Sequence, residues 1–190
     1  MRILFIVLLF FSVIGCKDSY TPKPYGYFRI DLPEKNWILS PDSLPYQFEM
    51  SALATIEADQ SKEAEWGWIN VCYPRYNAKI HLSYKNVTTD SSLCRFTEDC
   101  HRLAYTHTIK AESINEKYFR KNSIFGIIYY IEGNTASSTQ FFITDSTRHF
   151  LRGALYFNQH PDRDSLAPVI NYLREDIINL METLKFRDKK

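Results

Sequence analysis

The sequence has no surplus of charge of either sign: 23 Lys and Arg stand against 22 Asp and Glu. A basic face broad enough to neutralise a run of phosphates is therefore not indicated, and nucleic acid is not an expected partner. Neither GxxxxGK[ST] nor GxGxxG occurs, which removes the usual phosphate-cradling turns. The glycine of "EGNTASS" is followed by strand-like sequence, so no helix N-terminus is offered to an anion there. There is no HExxH, and the histidines at 81, 101, 107, 149 and 160 include no pair at i, i+4. Glu98 and His101 have Glu-x-x-His spacing, but a di-iron site needs a second such helix and further carboxylates, and no second copy exists. No metal and no cofactor is expected. Internal repeats and low-complexity tracts are also missing.

What is present begins with the N-terminus. "MRILFIVLLFFSVIGCK" carries Arg2, a largely apolar run from Ile3 to Ile14, then Gly15 and Cys16. That is the layout of a secretory signal peptide, and the run falls short of the roughly 20 apolar residues that span a bilayer. Its end, "VIGC", fits a bacterial lipobox, in which cleavage makes the cysteine residue one of the mature chain. A thiol can take up a diacylglyceryl group, and the freed amine a further acyl chain such as palmitate. Each buried methylene contributes about 0.8 kcal/mol, so two or three chains anchor stably where one does not. Cys16 is the expected lipid-attachment site; the alternative is an ordinary cleaved signal with an incidental cysteine.

Residues 1–15 thus form a signal peptide and 16–25 a polar tether with Pro22 and Pro24, leaving one domain over 26–190. Removing residues 1–15 leaves 22 basic against 22 acidic side chains. Localisation to the cell envelope, lipid-anchored to a membrane facing the periplasm, follows. Lys17 is not the aspartate that retains enteric lipoproteins in the inner membrane, and inner and outer membrane both stay open. Three further cysteines remain, Cys72, Cys94 and Cys100, an odd number in an oxidising compartment. Cys94 and Cys100 share a predicted helix, where six residues give about 9 Å of rise and about 240° of rotation, beyond disulfide reach. If a bridge forms it joins Cys72 and Cys100; three reduced thiols are the other state.

Along the domain, "GYFRIDL" (26–32) reads as a first strand ended by Pro33, and "PYQFEMSALATIEA" (45–58) as strand followed by strand. "EWGWINVCYP" (65–74) and "NAKIHLSYK" (77–85) follow, joined by a turn. In the latter Ala78, Ile80, Leu82 and Tyr84 face one way and Lys79, His81 and Ser83 the other, the alternation of a sheet with one wet face. From Asp90 to about Ala111 the period becomes helical through Leu93, Phe96, Cys100, Leu103 and His107, with Asp90, Ser91 or Ser92 available as cap. Strands resume at 124–133, 138–145 and 148–158. A last helix runs from Ser165 to about Lys185 on a stripe from Leu166 to Leu184, capped by Asp164 or Ser165, with Pro168 in its first turn. The fold class is α+β: a mainly antiparallel sheet with one central amphipathic helix and a C-terminal helix packed on it. By analogy the order of elements resembles the PsbP/Mog1-like architecture.

"ITDSTRHF" (143–150) holds Asp145, Ser146 and His149, the three residue types of a hydrolytic triad. Triads are assembled from distant residues, however, and no GxSxG elbow exposes the serine. Flanked by two strong strands, "DSTR" reads as a hairpin turn, and no catalytic residue is assigned. Ser146, Arg148 and His149 are instead candidate protein contacts. So are Tyr73, Arg75 and Tyr76 of "YPRY", because Tyr and Arg are enriched in interfaces; aromatic core is the competing account. Trp66 and Trp68 are read as sharing one face of a strand.

Five stretches together resemble the gliding motility lipoprotein GldD family of the Bacteroidota. They are "PKPYGYFRIDLP", "YPRYNAKIHLSYK", "AYTHTIKA", "GNTASSTQFFITDSTRHFLRGALYFN" and "DSLAPVINYLREDI", spread over nearly the whole mature chain. The resemblance implies a non-enzymatic cell-envelope component required for gliding and for the linked type IX protein secretion system. Its expected partners are the membrane, through the lipid anchor, and other lipoproteins of the motility apparatus. Only Cys16 carries over as a functional position. An envelope module binding a ligand in a pocket between sheet and helices, and a hydrolase using Ser146 or His149, are the competing classes.

Overall fold

The computed structural model describes residues 30–159 and 162–187. Among the described residues eleven strands and two α-helices follow in chain order. The strands are β1 (Trp37–Leu39), β2 (Tyr46–Gln47), β3 (Glu49–Ser51), β4 (Thr55–Ala58), β5 (Ile69–Tyr73), β6 (Ala78–Asn86), β7 (Ala111–Lys121), β8 (Ile124–Gly133), β9 (Ser137–Thr144), β10 (His149–Phe157) and β11 (Lys185–Phe186). Helix α1 (Asp90–Tyr105) lies between β6 and β7, and α2 (Arg163–Thr183) between β10 and β11. Seven strands form one sheet in the order β4-β5-β6-β10-β9-β8-β7, every neighbouring pair antiparallel. Two small sheets, β1-β3 and β11-β2, flank it.

The alternation in β6 becomes packing as expected: Ala78, Ile80, Leu82 and Tyr84 are all buried in the larger core, with Val169, Leu173, Ile177 and Leu180 of α2. The C-terminal helix keeps its expected stripe. Its cap is Asp162, whose carboxylate accepts from Ser165 N–H, rather than Asp164 or Ser165. The earlier start places Pro168 inside the helix rather than in its first turn, where the missing N–H leaves the Asp164 carbonyl without its usual i+4 donor.

The other face of the sheet is wet only on one side of the molecule. Helix α1 lays Cys100 and Ala104 over Tyr129, Ile131, Phe142 and Phe150 and makes a second core there. All eight positions of β9 are consequently buried. Helix α1 is shorter than the pattern through His107 suggested. It ends at Tyr105 in a 3₁₀ turn, so Ala104 is fully buried while Leu103 is exposed. Its cap is Thr89, which exchanges side-chain and backbone hydrogen bonds with Ser92 in a capping box.

Two further expectations change. Residues 26–29 of the first predicted strand lie outside the described residues, and Ile30–Leu32 joins no ladder. Between α1 and β8 the chain forms an unforeseen strand, β7, hairpinned to β8. Of the two cysteine states left open by the sequence, the structure has the reduced one: Cys72, Cys94 and Cys100 are free thiols. Cys72 sits in β5, next to edge strand β4, whereas Cys100 is drawn into the small core over β8, β9 and β10.

Candidate functional site

The turn between β9 and β10 is held by its own side chains. Asp145 Oδ1 accepts the backbone N–H groups of Thr147, Arg148 and His149 at 3.0, 2.9 and 2.8 Å. Thr144 Oγ1 accepts from Ser146 N–H at 2.9 Å and donates to the His149 carbonyl at 2.7 Å. Ser146 takes a left-handed conformation, φ 63°, which a small polar residue at a turn tolerates. Burial by itself would raise the Asp145 pKa, but the amides of Arg148, His149 and Thr147 outweigh it and hold the carboxyl below its ordinary range.

His149 looks the other way. It is 7% exposed, stacks on Phe186 with centroids 4.9 Å apart, and places Nδ1 2.7 Å from the Tyr84 hydroxyl. That hydroxyl gives its single proton to Asn86 Oδ1 at 2.9 Å, so Nδ1 carries the hydrogen of the histidine contact. Asp145 is thus occupied by amides, His149 by Tyr84, and Ser146 is exposed. The three lie together in sequence, but the geometry is a capped hairpin turn and not a proton relay.

Around this turn the structure opens into a groove of about 530 Å³. One wall is the β9–β10 turn with Asp145, Arg148 and His149; another is the β7–β8 turn, Lys121 to Ile124, where Asn122 has φ 54°. The third runs from Met181 at the end of α2 to Phe186, with Leu39, Gln47 and Glu49 opposite. Lys121 Nζ donates to the Glu182 carbonyl at 2.7 Å, a cation at the negative end of the helix. On the far side of Arg148 and His149 lies a recess of about 240 Å³ bounded by Pro45, Trp66, Tyr84, Asn86, Val87 and Arg187. Trp66 and Trp68 do not share a strand face; they precede β5 on either side of Gly67, whose φ is +85°. Trp68 is instead fixed by its indole N–H on the Tyr84 carbonyl at 2.8 Å.

The "YPRY" segment lies at the opposite end of the sheet, and two of its three candidate contacts are core. Tyr73 is 2% and Tyr76 7% exposed, and Tyr76 meets Tyr172 edge-on at 5.7 Å. Burial and the neighbouring Asp176 push the Tyr73 hydroxyl pKa far up. The reason is α2: Tyr172, Asp176 and their neighbours cover this turn, and a tyrosine there gains more from burial than from water. Only Arg75 stays outside, paired with Asp31 at 2.7 Å. Beside it the incoming chain is fastened to α2. Tyr172 donates its hydroxyl to the Pro33 carbonyl at 3.0 Å, and Lys35 reaches the Tyr172 carbonyl at 2.6 Å and the Asp176 carboxylate. Burial raises the Asp176 pKa against the pull of Lys35.

Among the described residues no group of three or more His, Cys, Asp or Glu side chains is placed to hold a metal ion. Cys16, the expected lipid-attachment residue, lies outside the described residues. The groove residues from Lys121 to Ile124 and from Thr183 to Phe186 escaped the sequence reading. "KNSI" held the available signal, since Asn-Ser directly before an apolar-rich strand is turn chemistry.

A family model described as gliding motility lipoprotein GldD matches residues 17–186. No curated protein sequence matches significantly. Among solved structures the chain is similar to the solution structure of cyanobacterial PsbP (CyanoP) from Synechocystis sp. PCC 6803, with 9% identity over 92% of this chain and 99% of that one and a TM-score of 0.46.

Proposed function

The chain belongs to the gliding motility lipoprotein GldD family, and from that premise we propose that it is a non-catalytic part of the gliding and type IX secretion machinery that acts by binding other envelope proteins. The family places it in the cell envelope as a lipoprotein, with Cys16 as the acylated residue in this reading. The observation that carries the proposal is the groove around the β9–β10 turn. Asp145 is committed to holding the turn and His149 is bonded to Tyr84, while the rim offers the mixed apolar and charged side chains of a contact surface. Of the six candidate contacts, Arg75, Ser146 and Arg148 remain exposed, the last two at the turn beside the groove, whereas His149 is buried like Tyr73 and Tyr76.

Deleting the gene and scoring colony spreading and secreted proteins tests the proposal. Both are expected to fail, to return with the wild-type gene, and to stay impaired with Cys16→Ala. Affinity isolation from native membranes is expected to bring down motility or secretion lipoproteins; repeated isolation alone would count against it. A second reading, an envelope ligand-binding module, is favoured by one number: a volume of about 530 Å³ falls in the range of small-molecule sites. A bound small molecule in the purified protein would decide for it.

A further inference from the structure

Strand β7 closes one edge of the seven-stranded sheet, and half of its backbone groups point away from it. Lys121 pairs with Ile124 across a two-residue turn, and residues flanking such a turn direct their hydrogen-bonding groups at each other. Alternation along the ladder then gives Asn115, Lys117 and Phe119 to β8, and leaves the N–H and C=O groups of Ile114, Glu116, Tyr118 and Arg120 aimed outward. The side chains of these four share the α1 face of the sheet, where Ile114 packs on the smaller core. Tyr118 is 78% exposed among them. Two residues before it, Glu116 is held on its Oε1, which accepts from the Tyr105 hydroxyl at 2.9 Å and lies 3.6 Å from His101 Nε2. Two residues after it, Arg120 lies over the Phe125 ring at 5.0 Å. The opposite edge strand, β4, has only four residues, against eleven in β7.

An edge of this length is a template for another strand, and the order of its charges selects which one. We propose that β7 pairs antiparallel with β7 of a second copy of this chain, centred on Tyr118, so that the sheet continues across a two-fold axis. Such an axis sets one residue opposite its own copy. With Tyr118 there, Glu116 stands opposite Arg120 of the second copy and Arg120 opposite Glu116, while the outward backbone groups of all three meet their counterparts. Opposite charges and paired aromatics facing each other across a ladder stabilise it, and like charges do the reverse. Centring the pair on Glu116, Lys117 or Arg120 sets that residue against its own charge, and centring it on Phe119 sets Lys117 against Lys121. The charges that keep this edge from pairing at random therefore favour the Tyr118 register. The inference is independent of the groove, which lies at the end of the sheet and is assigned to other proteins.

Sedimentation of the full chain in detergent tests the pairing. The wild type is expected to dimerise reversibly, and Glu116→Arg and Arg120→Glu each to weaken the dimer at least about tenfold, because either one sets two pairs of like charges across the seam. An equimolar mixture of the two variants is expected to recover the wild-type affinity, since every charge in the seam then meets its opposite again. The double variant carrying both exchanges is expected to recover it as well, and cooperative melting establishes that each variant is folded. Hydrogen exchange of the wild type needs no substitution. The amides of Glu116, Tyr118 and Arg120 are expected to slow as concentration rises, whereas those of Lys117 and Phe119, already bonded to β8, are not. A wild type that stays monomeric would overturn the proposal, as would a dimer indifferent to both reversals or folded variants that fail to recover on mixing. Exchange at Tyr118 that does not respond to concentration would do the same. So would a photo-crosslinking residue at Tyr118 that captures only other proteins in cells, which gives the edge a different occupant. None of these outcomes touches the groove, whose partners are read by isolation from native membranes.

Discussion

At Asp145 one carboxylate oxygen takes the amide hydrogens of three successive residues, so the turn depends on its charge. Asp145→Ala is expected to cost about 2 kcal/mol at neutral pH, the worth of hydrogen bonds to a charged group, and Asp145→Asn less, because its amide oxygen still accepts. The folded-state pKa is lowered from 3.8, so the stabilisation is full above that value and is lost as pH falls through the folded pKa. Melting curves of wild type and Asp145→Ala should therefore converge in acid; a gap that persists after the carboxylate is protonated would show that its charge is not what holds the turn. The sequence makes Asp145 recognisable as a turn residue because an aspartate opens a polar gap between two strands. It does not reveal that Tyr73 and Tyr76 are buried. Their cover is Tyr172 and Asp176, nearly a hundred positions later, and no local pattern encodes a partner at that distance.

Legibility among the elements follows the strength of the period. β6, β8, β9, β10 and α2 carry long apolar or alternating runs and are readable to within a few residues. β7 is an edge strand, mostly exposed and heavily charged, as edges that resist aggregation tend to be, and for that reason it lacks the apolar alternation that betrays a strand. The centre of the sheet hides a tighter constraint. A Cβ on Gly153 of β10 would come within 2.1 Å of the Phe141 ring on β9, and Phe141 is packed in the main core. Gly153→Ala is expected to destabilise the protein by about 3 kcal/mol through overpacking, read as a lower urea midpoint at unchanged slope. An unchanged midpoint would mean that the ring can swing aside.

In the whole molecule the two ends of the sheet have different tasks. One receives the incoming chain, through Asp31–Arg75, Pro33–Tyr172 and Lys35–Asp176; the other holds the groove. A photo-crosslinking residue at Ser123, in the groove wall, is therefore expected to capture protein in living cells. The same residue at Gln159, beyond the end of β10 at the opposite pole, should capture little, and equal capture at both would unseat the groove. The class of the fold and its family resemblance can be read from the sequence, whereas the groove cannot, because its walls come from five separate stretches that only the finished sheet and helix bring together. The fastening of residues 31–35 to α2 also has a mechanical side. A pull applied to the incoming chain while a partner holds the groove runs lengthwise along β6 and β10, at right angles to their inter-strand hydrogen bonds. Those bonds share such a load in shear instead of parting one by one, which is the direction in which an antiparallel sheet best resists being drawn open.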